Sequence, residues 1–325
     1  MISENKNNPS VSSLDKGGIK GGLFTDQTGG VALILVVWVI VVLIAIVGEF
    51  SYSMRTEINI TRNFKEEEEA YQLALSGIQQ AKAEILNAKD MSKMYVDGNG
   101  VLIIDPESEL PERKENLGKG YYQYAITDEN GRMNLNTATM EQLRSIFDNA
   151  GIESTEVDTI IDSIFDWRDT DDLHMLNGAE DDYYQSLDRP YSSKDGPFSL
   201  PEELLLVKGV TPGIFYGSSA NSEQEAIDGI GKYFTVYGSG AINKWTAPRA
   251  VLEAAYGPDE ASNIITQREA GLINVPPGSQ AVSGFFSIIS TGNNADGTIK
   301  RTVKIVVQKE DESLENIYWN DNIIG

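Results

Sequence analysis

The sequence has no cysteine among its 325 residues, so disulfides, thiolate nucleophiles and Cys-ligated zinc or iron–sulfur sites are excluded. Histidine is almost as scarce. His174 stands alone in an acidic stretch, which rules out a histidine-rich metal centre and hangs any Ser-His-Asp triad on one loop residue, where a solvated side chain is the plainer reading. Positive charge is short as well. The 26 Lys and Arg stand against 49 Asp and Glu, and a formal net charge of −23 repels polyanions such as nucleic acid while favouring cations and basic surfaces. What remains, 41% hydrophobic and 23% charged residues, is enough for one or two domains with a real core.

The most pronounced feature is the run Val31 to Val47, VALILVVWVIVVLIAIV, with no charge on any face. As a helix it is about 26 Å long, near the hydrocarbon thickness of a bilayer. A cleaved secretory signal has a shorter apolar core and a small-residue cut site directly behind it, whereas here Ser51, Tyr52, Ser53 and Arg55 follow, which favours an uncleaved span. The leader from Met1 to Gly30 is polar and glycine-rich and is expected to be unstructured; its Lys6, Lys16 and Lys20 suit a cytoplasmic N-terminus. Beyond the span the helical period continues: Tyr71, Ala74, Ile78, Ala81 and Ile85 fall on one face, while Lys65 and Glu66 to Glu69 read as solvated. One helix from Val31 to about Ala88 is expected, half in lipid and half packed on a soluble domain.

A polar leader ending in glycine, an apolar run directly after it and a long amphipathic extension resemble the type IV pilin and pseudopilin class. The resemblance implies cleavage by prepilin peptidase after Gly30 and methylation of the new terminus at Val31. It also marks two departures. Leu35 stands where most members carry a glutamate, which in that class pairs with the terminal amine of a neighbouring subunit; a subunit at a filament end has no such neighbour above it. Asp26 precedes the cut where basic residues are usual.

Past the helix, Val101 to Ile104, Tyr121 to Thr127, Phe285 to Ser290 and Thr298 to Gln308 have strand character. In the last, Ile299, Arg301, Val303, Ile305 and Val307 share one face, and Asn293 to Gly297 is turn chemistry that needs no ion at Asp296. Between these strands, roughly 131–276, lies a helical, acidic stretch with an internal repeat. Asn134 to Ala138 with Leu143, Ile160, Ile161 and Arg168 matches Asn243 to Ala247 with Leu252, Ile264, Ile265 and Arg268. Such bundles resemble helix-hairpin-helix or sterile-alpha-motif domains, some of which bind DNA. The acidity of the stretch, and glycine hairpins reduced to Lys208-Gly209-Val210 and Gly229-Ile230-Gly231, argue against that here.

The runs Asp128 to Arg132, Asp166 to Asp171, Asn177 to Asp181 with Tyr183 and Tyr184, and Glu202-Glu203-Leu204 before Val207 to Val210 extend the resemblance to the K-type minor pseudopilins of type II secretion, the general secretion pathway protein K family. The resemblance implies an α+β fold: a pilin-like long N-terminal helix packed on an antiparallel sheet, with a large inserted helical domain. The expected layout is leader 1–30, span 31–50, helix extension and first strands 51–130, insert 131–276, and final strands and tail 277–325. The implied partners are I- and J-type minor pseudopilins, the major pseudopilin, prepilin peptidase and the inner-membrane assembly platform. The implied place is the bacterial inner membrane with the C-terminal region periplasmic, then the pseudopilus tip, where the face of Tyr71, Ile78 and Ile85 is expected to meet partner helices below. The tip of a true type IV pilus is the alternative.

One constellation has ligand character. Asp166, Asp169, Asp171, Asp172, Glu180, Asp181 and Asp182 crowd one loop region, where hard oxygen donors suit calcium better than zinc or copper. The spacing is not an EF-hand, because His174 falls where that loop requires glycine. On the residues alone a solvated loop is equally tenable. The resemblance implies a calcium-stabilised insert, with Asp166, Asp169, Asp171, Glu180 and Asp181 as ligands. Carboxylate pairs such as Asp169 and Glu180 lack an accompanying nucleophile or phosphate loop, so catalysis is not expected.

Overall fold

A computed structural model describes residues 27–108, 111–219, 227–273 and 283–323. Most of the expected leader, to residue 26, and the expected insert boundary at 276–277 lie outside the described residues. In chain order the elements are helix α1 (Gln27–Asn87), strands β1 (Tyr95–Val96), β2 (Leu102–Ile103), β3 (Lys114–Leu117), β4 (Gly120–Asp128) and β5 (Met133–Asn134), helices α2 (Met140–Asn149), α3 (Ser154–Arg168), α4 (Asp181–Gln185) and α5 (Pro212–Tyr216), strand β6 (Phe234–Thr235), helices α6 (Arg249–Tyr256) and α7 (Pro258–Glu269), and strands β7 (Phe285–Asn293), β8 (Lys300–Glu310) and β9 (Ser313–Ile323).

Helix α1 begins four residues before the expected start, so the last residues of the leader are helical rather than unstructured. The apolar run behind them propagates the helix backward, and two glycines cost only about 1 kcal/mol each against that. The chain divides into two compact units at Arg62 and Asn63, inside α1. In the first unit the side chains from Gly30 onward are exposed all round. This is the one helix among the described residues that is long and apolar enough to cross a membrane.

In the second unit the rest of α1 lies on a five-stranded antiparallel sheet of order β3-β4-β7-β8-β9. Ala74, Ile78, Ala81 and Ile85 are fully buried against Tyr122, Tyr124 and Ile126 of β4, Phe286 and Ile288 of β7, and Val303, Ile305 and Val307 of β8. The helix period of 3.6 and the strand period of 2 therefore meet at one core, where each buried isoleucine contributes about 1.5–3 kcal/mol. The expectation that Ile78 and Ile85 face partner helices is corrected by this burial: the stripe is spent on the chain's own sheet. Helix and sheet come close enough that a Cβ on Gly292 would meet the backbone of Ala70 and Ala74. Polar ties reinforce the contact. Arg113 pairs with Glu84 of α1, and the Tyr124 hydroxyl donates to the same carboxylate at 2.9 Å.

The β7–β8 hairpin closes as expected: Asp296 accepts from Thr298 and Gly297 sits at φ 72°. Besides the two-residue strands β1, β5 and β6, two strands of the five-stranded sheet escape the sequence reading. β3 is short and fully exposed, and β9 was read as tail because a bulge breaks its alternation beside Val306 and Val307.

The chain leaves the sheet at the end of β4 and returns at the start of β7. Between them α2–α7 enclose a second core that includes Leu143, Phe147, Ile160, Ile164, Phe234 and Leu252. The two repeats form the same local device. Arg168 donates to the carbonyls of Leu135 and Ala138 at 2.6 and 3.1 Å, and Arg268 to those of Trp245 and Ala247 at 3.3 and 2.9 Å. In each, the arginine at the end of the second helix secures the turn that starts the first. Thr139 and Gln142 form a capping box on α2, while proline occupies the corresponding N-cap, Pro248, before α6.

Candidate functional site

Asp166 lies near the end of α3, on the helix face that also carries Val157, Ile160, Ile164 and Trp167, so the period that buries those apolar groups buries the carboxylate with them. Its compensation comes from the following loop. The Met175 amide donates to it at 3.0 Å and the Ala179 amide at 2.8 Å, and the chain can approach this closely because position 178 is glycine: a Cβ there would run into Asp166 Oδ2. Burial nonetheless pushes the Asp166 carboxyl up, and the charges of Asp169 and Asp162 push it further.

Glu180, just before α4, is 3% exposed, and neither carboxylate oxygen has a hydrogen-bond partner. The nearby Ser193 hydroxyl is turned to Asp181 at 3.0 Å and Asp195 at 2.8 Å instead. Burial, then the charge of Asp166, with Asp169 and Asp195 adding, pushes Glu180 up to about 7. Asp169 Oδ1 is orphaned in the same way, and burial raises that carboxyl too. Among the five expected ligands, then, Asp169 raises Asp166 by its charge, and both raise Glu180.

The other two are used differently. Asp181 accepts from the Ser193 amide at 2.8 Å and from Gln185 at 3.0 Å, and exposed Asp171 caps the Leu173 amide at 2.9 Å. Asp195 is the member the sequence reading missed. It joins through a left-handed turn at φ 51°; Asp195-Gly196 marks a turn in the sequence, but not its approach to Glu180. Among the described residues no three carboxylate or imidazole groups stand in a ready-made coordinating arrangement. The fit to a hard divalent cation rests on the orphaned oxygens: buried carboxylate oxygens of Glu180 and Asp169 without donors, beside other carboxylates, are what an oxygen-coordinated cation would offset. Lys208, from one of the reduced glycine hairpins, donates to the carbonyls of Asn177 and Gly178 at 3.2 and 2.8 Å, closing the acidic loop from its other side.

A second polar cluster sits where the helical insert joins the sheet. Asp128, at the end of β4, is buried; its Oδ2 accepts from Ser283 Oγ at 2.5 Å, Thr246 Oγ1 at 2.6 Å and Asn243 Nδ2 at 3.1 Å, and its Oδ1 from the Asn130 amide at 3.0 Å. Glu129 beside it pairs with Arg132 at 2.9 Å and accepts from Thr235 Oγ1 at 2.5 Å. These residues were legible as a turn, but not as a clasp binding both ends of the insert. At the far end of the chain, Gly30, Val31 and Leu35 are all exposed on α1.

The family model described as "Type II secretion system (T2SS), protein K" matches residues 124–216, which span β4, α2, α3, the acidic loop and α5. Among curated relatives, "Putative type II secretion system protein K" of Escherichia coli (strain K12) is 24% identical over 204 residues, 58% of this chain and 60% of that one. "Type II secretion system protein K" of Aeromonas hydrophila is 23% identical over 208 residues, 58% of this chain and 61% of that one. The matched part therefore spans about 60% of the length of these relatives. In fold, the chain is similar to a chain of "The Crystal Structure of the GspK-GspI-GspJ complex from enterotoxigenic Escherichia coli Type 2 Secretion System", with a TM-score of 0.54 and 15% identity, over 84% of this chain and 100% of that one.

Proposed function

We propose that this chain, a member of the type II secretion system protein K family through its domain at residues 124–216, is a minor pseudopilin that caps the tip of the pseudopilus and so supports protein secretion. The observation that carries the reading is α1: one helix that is apolar on every side from Val31 to Val47 and then buries Ala74, Ile78, Ala81 and Ile85 on an antiparallel sheet. An anchor continuous with the core of a soluble domain suits a subunit that waits in the inner membrane, its C-terminal region periplasmic, and then enters a filament. Prepilin peptidase cuts between Gly30 and Val31, the new terminus is methylated, and the inner-membrane assembly platform raises the subunit above the major pseudopilin. The partners at the tip are the I- and J-type minor pseudopilins, a reading supported by the fold likeness to a chain of a GspK-GspI-GspJ complex. Because the α1 stripe is spent on the sheet, those partners meet other faces of the helix.

Leu35 supports the end position. A subunit added above would leave its terminal amine unpaired among apolar helices, at a cost of several kcal/mol. The bulk of the insert should obstruct stacking as well. Calcium is the structural cofactor in this reading, held by Asp166, Asp169 and Glu180 with Asp195, and it supplies positive charge beside the orphaned oxygens of Glu180 and Asp169. The role is structural rather than catalytic.

Immunogold labelling of overproduced pseudopili tests the proposal. One copy at a filament end is expected, and labels spaced along the shaft would show the capping role to be wrong.

A further inference from the structure

Leu173 and Leu176 are 80% and 93% exposed, more than any other large hydrophobic side chain among the described residues, including those of the apolar span. Scattered surface leucines are ordinary. These two differ because the backbone presenting them is pinned. The Leu173 amide donates to Asp171, the Met175 amide to Asp166, the Asn177 amide and side chain both to Asp162 at 3.0 Å, and the Gly178 amide to the Met175 carbonyl at 3.1 Å. Lys208 fastens the far side of the loop. Met175, between the leucines, is half-buried, so the loop turns one apolar side chain inward and holds two out. A fixed backbone leaves little ordering entropy to lose when those side chains become buried.

Charge says what would bury them. Asp171 and Asp172 directly precede the pair, Asp171 accepting from the Leu173 amide and Asp162 from Asn177 just beyond Leu176; of the basic groups bonded to this loop, Lys208 is already engaged by carbonyls and by the Tyr183 ring, and His174 bonds the Met175 carbonyl. An anionic bilayer or a second copy of this acidic face would be repelled. We infer that the Leu173–Leu176 loop is a docking tip for a folded protein that presents an apolar recess bordered by lysine or arginine. The inference rests on the secretion reading above, because the partner is one that a pseudopilus tip meets.

The test uses the full-length chain in its own secreting strain. Four strains are compared: wild type, a deletion, Leu173→Ser with Leu176→Ser, and Leu173→Met with Leu176→Met. Deletion should abolish secretion, the serine pair should lower it roughly tenfold or more, and the methionine pair, which keeps apolar tips, should stay near wild type. The serine pair should also melt as wild type does and copurify equally with the I- and J-type subunits. A photo-crosslinking residue at position 176 should then give an adduct on a protein whose crosslinked segment adjoins Lys or Arg. Secretion unchanged in the serine pair would overturn the inference, as would equal loss in both pairs, or adducts only to lipid or to a second copy. Secretion unaffected by deletion would instead sink the secretion reading itself, and the inference with it.

Discussion

Ser283 donates a hydrogen bond of 2.5 Å to Asp128 across 155 positions of sequence, so one bond joins the place where the chain leaves the sheet to the place where it returns. Thr246 and Asn243, from the start of the second repeat, bond the same oxygen. The insert is therefore clamped at both ends to one buried carboxylate.

Replacing that carboxylate should be costly. Asp128→Ala leaves the Ser283, Thr246 and Asn243 donors buried without an acceptor, and a loss of about 2–4 kcal/mol is expected. Denaturant unfolding of the detergent-solubilised chain checks it. A broadened or split transition is expected as well, because the insert and the sheet lose a shared tie; an unchanged midpoint would remove the clasp from the stability of the fold.

Removing calcium should loosen the acidic loop. A cation held a hundredfold above its dissociation constant stabilises by about 2.7 kcal/mol, which for a region of this size is on the order of 5–10 °C. Calorimetry in calcium and in chelator should show that drop, and Glu180→Gln should reduce it by weakening the site. Trp167 gives a second readout, since its ring stands edge-on to Tyr184 at 5.3 Å, one residue from Asp166. Identical melting and fluorescence in chelator would exclude the cation.

The proposed processing after Gly30 should depend on a small side chain before the cut. Gly30→Leu should leave the full-length precursor, visible as a heavier band on immunoblots, whereas wild-type protein should begin at Val31 by N-terminal sequencing. Functional protein that retains Met1 would contradict the assignment.

The link from α1 to β2 should weaken in acid. Burial pushes the Asp105 carboxyl up, but the Ser108 hydroxyl at 2.8 Å and the amides of Lys89 and Glu107 at 3.1 and 3.0 Å outweigh it and hold the group below the usual carboxylate range. A folded-state value below the unfolded one, about 3.9, contributes stability above pH 4 that is lost as pH falls through the folded value. Comparison with Asp105→Asn isolates this group from the other carboxylates. Wild type should lead the variant by about 1 kcal/mol at pH 6 and by less at pH 3; a constant gap would refute the linkage.

What could be read without coordinates was whatever depends on local period. The apolar run, the stripe from Ala74 to Ile85, the alternation of Val303, Ile305 and Val307 and the repeat ending in Arg168 and Arg268 each follow from neighbours a few residues apart, because helix and strand geometry repeat over that distance. The anchor, the main strands and the insert came from those signals, whereas the ligand set Asp166, Asp169, Asp171, Glu180 and Asp181 came from the acidic crowding of one loop and from the family resemblance. Tertiary structure alone decided which surfaces those elements spend on one another. It turned the α1 stripe onto the chain's own sheet, drew Asp195 toward Glu180 through a left-handed turn, sent Asp181 to Ser193, and closed Asp128 on Ser283. Burial and hydrogen-bond satisfaction are set by groups distant in sequence and close in space, and a carboxylate in a loop looks the same in the sequence whether it ends in water, under an amide or with no donor at all.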